Sequence, residues 1–330
     1  MKKFTALQLS LLQQLGDGHC HSGSELGRKT GVSRTAIWKQ ISQLTNWGLG
    51  INRLPQQGYQ FDKPFIPLDE TQILARLADK NLQQPVNIHC FAEIDSTNQF
   101  LKELPLSSDL VICCAETQTR GRGRFGRSWI SPFGENIYFS SRWRLDCCLS
   151  KLSGLSLVVS LAVSDCLRNY GIGDEVKIKW PNDLLWQHKK LCGILIEIVA
   201  ESNDCAQIII GIGLNVNGTP SAQQCYEKPA CSLHEISGRL FDRNQIIADL
   251  LAALDRYMQR FLAEGFGRFI EEWNKTDYLA GNRVTLTHYG NQITGMITGV
   301  NEQGQLCLLN DAGEAVSFSS GDTSLQQPQP

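Results

Sequence analysis

Residues 206–216 read AQIIIGIGLNV, a run that is apolar almost throughout. A strand with one face in water would alternate apolar and polar residues, so a continuous run indicates a strand covered on both faces. Shorter strand-like runs precede it, namely VNIHCFAEI, LVICCAE, NIYFSSRW, EVKIKW and CGILIEIV, together with one helical stretch, SKLSGLSLVVSLAVSDCLRNYG. These segments predict a mixed sheet packed under helices.

Residues 1–63 differ from this sheet-forming part in charge. They contain eight Lys or Arg and three Asp or Glu, which is +5, whereas the whole chain is −2 and the remainder is therefore −7. A small basic unit on an acidic body is typical of a chain in which only one part binds a polyanion. The length favours two or three domains.

Helical periodicity in the basic segment predicts a helix-turn-helix. A first helix ends near Gly16, a short second helix covers SELGRKT, and a third, SRTAIWKQISQLTNWG, begins at residue 33 and has Trp47 on its inward face. The stretch GINRLPQQGYQF then predicts two strands of a wing. Such a module binds DNA or packs against protein. The outward face of the third helix supplies candidate DNA contacts, Ser33, Arg34, Thr35, Trp38, Lys39 and Ser42.

Polar segments follow the predicted strands. EIDSTN at 93–98 has two interpretations. It is only the N-terminal cap of a helix, or its hydroxyl and amide groups also line a ligand pocket at that helix end. TRGRGRFGRSW at 119–129 lacks the Gly-Lys-Ser/Thr ending of a Walker loop. Its glycines allow close backbone approach and its arginines offer forked donors, so a mobile loop that closes over a carboxylate or phosphate fits best.

Four further polar residues lie close to strand ends. Asn182 and Asp183 in KWPNDLLW offer oxygen ligands for magnesium, adenine or ribose, although taken alone the segment is better explained as a simple Pro-Asn-Asp turn. Lys190 and Asn215 flank apolar strands. These segments contain no Ser-His-Asp or Cys-His set and no metal cluster, which favours chemistry by charge neutralisation. The residues alone indicate a ligand-closing transferase or ligase with a DNA-binding domain.

Composition excludes a membrane protein, because no apolar run reaches the roughly 18 residues of a membrane span. The basic and then apolar N-terminus is interrupted by glutamines, so an amphipathic helix and a cytoplasmic location are expected. Most of the twelve cysteines lie in apolar stretches and predict small buried side chains in a reducing compartment.

The segments DSTN, QTRGRGRFGRSW, KWPNDLL, KKLCGILIE and GIGLNV occur in the order and spacing of the biotin–protein ligases, which the chain resembles over nearly its whole length. The N-terminal part resembles that of the bifunctional members, which are also biotin operon repressors. The resemblance implies an α+β multidomain chain. It would have a winged helix-turn-helix at 1–63, a mixed-sheet catalytic domain like that of class II aminoacyl-tRNA synthetases at 64–280, and a small SH3-like β-barrel at 281–330.

The resemblance also implies a reaction in two steps. Biotin and MgATP give biotinyl-5′-AMP and pyrophosphate, and a carrier-protein lysine then takes the biotin. The catalytic residues would be Arg122, Arg124 and Lys190. By the same resemblance, biotin would contact Ser96, Thr97, Asn98, Gln118, Gly121, Arg122, Gly123, Arg124 and Lys190, and the adenylate would contact Trp129, Asn182, Asp183 and Asn215. No residue is assigned as a metal ligand.

The implied cofactors are biotin, ATP and Mg²⁺. The implied partners are the biotin carboxyl-carrier protein of acetyl-CoA carboxylase, operator DNA of biotin synthesis genes, and a second copy of the chain in an adenylate-dependent homodimer. Arg120 departs from the pattern, since many relatives have a small residue there. Three alternatives stay open: a regulator that has lost transfer, a lipoate–protein ligase, and a DNA-binding protein without enzymatic activity.

Overall fold

The computed structural model describes residues 1–82, 84–202, 205–220, 229–288 and 290–325. Its first part is a winged helix. Helices α1 (Ala6–Leu15), α2 (Gly23–Thr30) and α3 (Arg34–Asn46) precede the hairpin of β1 (Ile51–Leu54) and β2 (Gly58–Phe61). Thr5, Ser22 and Ser33 each accept a hydrogen bond from the first turn of a helix, which satisfies an otherwise unpaired N–H. The predicted helix-turn-helix with a wing is confirmed.

Trp47, predicted on the inward face of the third helix, packs against the core of the winged helix but lies just beyond the end of α3. The helix ends at Asn46, so Trp47 forms its C-terminal cap and is only half-buried. Its ring stacks on Phe133, with 6.2 Å between ring centroids and 25° between ring planes, and lies 5.8 Å from Phe4. Trp47 therefore joins the winged helix to the central part of the chain.

A buried ion pair holds the linker between β2 and α4 (Glu70–Leu77). Arg243 Nη1 lies 2.5 Å from Glu116 Oε2, and the two side chains are 2% and 0% exposed. Glu116 accepts a hydrogen bond from Leu68 N at 2.7 Å, and Arg243 donates to Ile66 O at 2.9 Å. Because buried charges require such partners, the pair fixes the linker against the central part.

The central part is built on a seven-stranded mixed sheet. Its strands are β3 (Val86–Phe91), β4 (Leu110–Ala115), β5 (Ile137–Leu145), β6 (Lys177–Lys179), β7 (Asp183–Trp186), β8 (Lys189–Ser202) and β9 (Cys205–Leu214). Their order is β3-β4-β5-β9-β8-β7-β6, and only β3 and β4 are parallel. The apolar run at residues 206–216 thus supplies most of β9, the middle strand.

Helices cover both faces of the sheet, as the continuous apolar run predicts. Ile209 packs towards α5 (Thr97–Glu103), whereas Ile208 and Ile210 belong to the larger core under α6 (Leu155–Arg168) and α8 (Arg243–Glu264). Two shorter helices, α7 (Leu233–Ser237) and α9 (Ile270–Thr276), complete this part. Within the described ranges, none of the helices is long and apolar enough to cross a membrane.

The last part is a small antiparallel sheet, which confirms the predicted C-terminal β domain. It contains β10 (Arg283–His288), β11 (Asn291–Val300), β12 (Leu306–Asn310), β13 (Ala315–Phe318) and β14 (Asp322–Leu325), in the order β13-β12-β11-β10-β14. The predicted bounds 1–63, 64–280 and 281–330 stay a prediction, and residues 326–330 lie outside the described residues.

Replacing Glu116 by alanine should strongly destabilise the protein, because Arg243 would stay buried without its carboxylate. We expect the free energy of unfolding to fall by about 3–5 kcal/mol, measured by urea denaturation. The matched control is Glu93→Ala, which removes an ion pair of Lys2 in which the side chains are 49% and 27% exposed. That variant should lose about 1 kcal/mol or less. Equal small losses would contradict the importance of the buried pair.

Candidate functional site

Polar side chains from several separate segments line one cavity of about 270 Å³ at the central sheet. Nearly all the residues predicted for ligand binding are among its lining residues: Ser96, Thr97, Asn98, Gln118, Arg122, Gly123, Arg124, Trp129, Asn182, Asp183, Lys190 and Asn215. Gly121 belongs to the same segment. A Cβ atom at this position would lie 2.7 Å from Trp129 O, so a side chain would not fit there. The fold therefore gathers these residues into one place.

One wall of the cavity follows from the parallel pairing of β3 and β4, which brings the segments after their carboxyl ends together. Ser96 forms the N-cap of α5. Thr97 donates to Gln118 Oε1 from its backbone N at 2.9 Å and from Oγ1 at 3.1 Å. Thr97 Oγ1 in turn accepts from Ser140 Oγ at 2.6 Å. The wall is thus a connected set of hydroxyl and amide groups.

Asn98 is tied into the fold beside this wall. Its Nδ2 donates to Glu197 Oε2 at 2.7 Å, and its Oδ1 accepts from Ser140 Oγ at 2.5 Å. Burial alone would raise the pKa of Glu197, but hydrogen bonds from Lys102 and Asn98 outweigh it and lower the pKa below the usual glutamate value. Ser140 and Glu197 were not predicted from the sequence. The sequence feature that could have indicated them is a polar residue within an otherwise apolar strand.

The arginine- and glycine-rich stretch forms a tight hairpin. Trp129 N donates to Gly121 O at 2.9 Å, and Gly123 N donates to Arg127 O at 2.7 Å. Phe125 at the tip has a left-handed φ of 57° and is 67% exposed, a conformation that a bulky residue rarely adopts. The segment therefore presents its arginines from a hydrogen-bonded turn. Its mobility and closure over a ligand stay a prediction.

The two predicted catalytic arginines are placed differently. Arg124 is partly buried and donates from Nη1 to Asn182 Oδ1 at 3.1 Å. Burial lowers the pKa of the Arg124 guanidinium, and the Asp183 carboxylate opposes that shift. Arg122 is exposed and donates from Nη2 to Gln99 Oε1, on α5, at 3.1 Å. Arg124 is thus the hairpin arginine that reaches across the cavity to Asn182.

Lys190 is paired with Asp183 on the neighbouring strand. Their Nζ and Oδ1 atoms are 2.8 Å apart, and the side chains are 31% and 27% exposed. Lys190 Nζ also lies 5.3 Å from the ring centroid of Trp129, within the range of a cation–π contact. An anionic ligand in the cavity would compete with Asp183 for this ammonium group.

Trp129 lies against two glycines that are register partners, Gly193 of β8 and Gly213 of β9. A Cβ atom at Gly213 would be 2.4 Å from the indole ring, and one at Gly193 would be 2.8 Å from it. Trp129 Nε1 and Asn215 Oδ1 are buried and lack a hydrogen-bond partner among the described residues. A buried donor and a buried acceptor beside one cavity point to polar ligand atoms.

In the ranges that the structure describes, no group of three or more His, Cys, Asp or Glu side chains could hold a metal ion. Two carboxylates, Asp183 and Asp322, do line the cavity. Hard oxygen donors of this kind suit a cation that arrives with a phosphate ligand.

The predicted DNA contacts lie apart from the cavity lining, on α3. Trp38 is 50% exposed although its neighbour Ile37 is completely buried, as expected for adjacent residues on a helix. Ser33 also caps the helix, accepting from Ala36 N at 3.2 Å. The exposed set is Ser33, Arg34, Thr35, Trp38 and Lys39, and Ser42 is half-buried.

Comparison with protein families gives three matches along the chain. Residues 7–60 match an HTH domain, residues 90–215 match the biotin/lipoate A/B protein ligase family, and residues 280–325 match the biotin protein ligase C terminal domain. The three matches fall on the winged helix, the central sheet and the C-terminal sheet, in that order.

Several characterised proteins are similar over their whole length. Bifunctional ligase/repressor BirA of Salmonella typhimurium is 36% identical over 99% of this chain and 100% of its own, and that of Escherichia coli is 36% identical over 99% of each. A solved structure, the biotin protein ligase from Aquifex aeolicus in complex with biotin and ATP, is 32% identical with a TM-score of 0.62. It covers 73% of this chain and 99% of its own.

The glycine pair under Trp129 generates a stability prediction. Gly213→Ala should lower the free energy of unfolding by about 1–3 kcal/mol, because the indole must move away from the new methyl group. Gly123→Ala is the control: the nearest atom to its Cβ would be 3.7 Å away, so the change should be about 0.5 kcal/mol or less. Urea denaturation of both variants provides the comparison. An unaffected Gly213→Ala protein would show that the indole is not packed there.

Proposed function

Since the chain belongs to the family of bifunctional biotin ligase/repressor proteins, we propose that it forms biotinyl-5′-AMP, transfers biotin to a carrier lysine, and represses biotin synthesis genes. This conclusion rests on 36% sequence identity to BirA proteins over 99% of the chain, with a helix-turn-helix domain followed by a ligase domain. The family resemblance, the fold class and the enzyme class predicted from the sequence are confirmed. The roles of individual residues are proposals.

In the first step, a biotin carboxylate oxygen attacks the α-phosphorus of ATP, the bond to the bridging oxygen breaks, and pyrophosphate leaves. Two like charges about 4 Å apart repel by ~1 kcal/mol in water and ~4 kcal/mol at an effective dielectric near 20. A closed site therefore needs fixed positive charge. Arg124 and Lys190 supply it from two sides, and Arg122 adds charge from the rim.

We assign the two halves of the cavity to the two substrates. Biotin would be held by Ser96, Thr97, Gln118, Gly121, Arg122, Gly123, Arg124 and Lys190. The adenylate would be held by Trp129, Asn182, Asp183 and Asn215, whose buried unpaired Oδ1 suits an amino or hydroxyl donor. Asn98 belongs to the same segment, and its bonds to Glu197 and Ser140 support a role in holding Thr97 in place.

In the second step, the lysine amine of a carrier domain attacks the acyl carbon, an amide forms, and AMP leaves as the mixed anhydride breaks. The carrier we propose is the biotin carboxyl-carrier protein of acetyl-CoA carboxylase. ATP would enter as its Mg²⁺ complex, and Asp183, which lines the cavity, would supply a carboxylate for the ion. The buried cysteines of the described residues are free thiols, which supports a cytoplasmic location.

The repressor half of the proposal rests on the winged helix. Arg34 and Lys39 are exposed on α3 and suit phosphate contacts, while Thr35 and Trp38 can reach base edges in a major groove. A two-fold operator needs two such helices, so we propose a homodimer that forms when the adenylate is bound. We also propose the division 1–63, 64–280 and 281–330 into DNA-binding, catalytic and C-terminal domains.

A mass-shift assay tests the enzyme. Purified protein, MgATP, an apo carrier domain and either biotin or lipoate are mixed, and the mass of the carrier is measured. We expect one biotin mass on one carrier lysine and no lipoate transfer. Lys190→Ala should form adenylate more slowly while its melting temperature stays near the parent value. Lipoate transfer would indicate a lipoate–protein ligase. No transfer, with tight retention of biotin, would indicate a regulator that has lost the transfer activity.

The proposed repressor function predicts that the affinity of the protein for operator DNA depends on its ligands. Binding to DNA from upstream of the organism's own biotin synthesis genes should tighten when biotin and MgATP are present together, because the adenylate favours the dimer. Fluorescence anisotropy of labelled DNA measures this, and a scrambled DNA of equal length is the control. Operator affinity that is unchanged by both ligands would contradict this part of the proposal.

A further inference from the structure

The arginine hairpin is attached to the C-terminal sheet as well as to the cavity. The Arg127 guanidinium forms an ion pair with the Asp322 carboxylate. Arg124 donates from Nη2 to Gly321 O at 3.4 Å while its Nη1 bonds Asn182. Asp322 itself lines the cavity. A domain that contains none of the predicted ligand-binding residues therefore contacts the arginines that cover the ligand site.

These contacts join the hairpin to a fixed support. Asp322 is the first residue of β14 and pairs with Thr287 of β10. The C-terminal sheet is docked on the central part, where Trp180 Nε1 donates to Gly304 O at 3.1 Å and Ser153 Oγ donates to Gln303 O at 2.6 Å. The support for the hairpin is thus set by backbone pairing and by two interdomain hydrogen bonds.

The charge of the hairpin explains why a carboxylate is useful there. Four arginines occur between residues 120 and 127, and like charges so close together disfavour a closed, partly desolvated arrangement. Asp322 offsets the charge of Arg127 at the outer end of the hairpin. Arg124 then remains directed at the cavity, between Asn182 and Gly321.

We propose that Asp322 is a positioning residue for the ligase reaction. Through Arg127 it holds the hairpin over the cavity, so that Arg124 and Trp129 stay against the bound adenylate. Asp322 acts on the hairpin and does not take part in bond making or breaking. This inference rests on the proposed ligase function and adds a defined task for the C-terminal domain.

The test measures how long the full-length protein retains biotinyl-5′-AMP. Asp322→Asn should speed its release by about two- to five-fold, the effect of losing one partly exposed ion pair. Asp322→Lys should speed release by at least about ten-fold, because a cation then faces two arginines. The exchanged pair, Arg127→Glu with Asp322→Lys, should return the release rate close to that of the parent protein.

Asp311→Asn is the matched control, because it removes another ion pair of the C-terminal sheet, that with Arg283. It should leave release unchanged, and all variants should keep the parent melting temperature. Parent-like release from both Asp322 variants, or no recovery in the exchanged pair, would overturn the positioning role. Failure of the parent protein to form any adenylate would instead overturn the ligase function itself.

Discussion

The ion pair between Glu116 and Arg243 is the interaction on which the arrangement of the site depends. Glu116 follows β4, Arg243 begins α8, and both bond the backbone of the linker that leaves the winged helix. Removing two charges from water is costly, and their attraction compensates only when further hydrogen bonds are in place. The pair therefore ties the strand, the helix and the linker together at one buried point.

The same pair defines the base of the arginine hairpin. Glu116 O accepts from Gly134 N at 3.0 Å, and Arg243 Nη1 lies 3.3 Å from Asn136 O. The chain between residues 117 and 135 thus leaves and returns to one buried point. Bringing the ends of a loop together costs entropy, so a buried pair that holds both ends lowers the further cost of ordering the hairpin between them. Phe133 lies in the returning arm and stacks on Trp47, so the winged helix contacts the segment that carries the hairpin.

Local patterns in the sequence predicted the elements well, and long-range partners poorly. The apolar run of β9, the helix cap in EIDSTN and the end of the first helix near Gly16 each depend on near neighbours, and these predictions are confirmed. Glu116 and Arg243 are 127 residues apart in the chain. Nothing in the local sequence distinguishes a buried Glu or Arg from an exposed one, so this ion pair could not be predicted. Asn98 was placed at the site, but its ties to Glu197 and Ser140 depend on strand register. Helix α8 shows helical periodicity and could have been predicted from it.

The exposure of Trp38 gives the protein a spectroscopic property. It is 50% exposed, whereas Trp143, Trp180 and Trp273 are at most 2% exposed. An indole in water emits at longer wavelength than one in a core, and a dissolved quencher reaches it first. Trp47, Trp129 and Trp186 are half-buried, so Trp38 is the most exposed indole and contributes most per residue to the red edge of the intrinsic emission. It lies on α3, the helix whose outer face is proposed to enter the DNA groove. The winged helix thus carries its own optical label at the surface of interest.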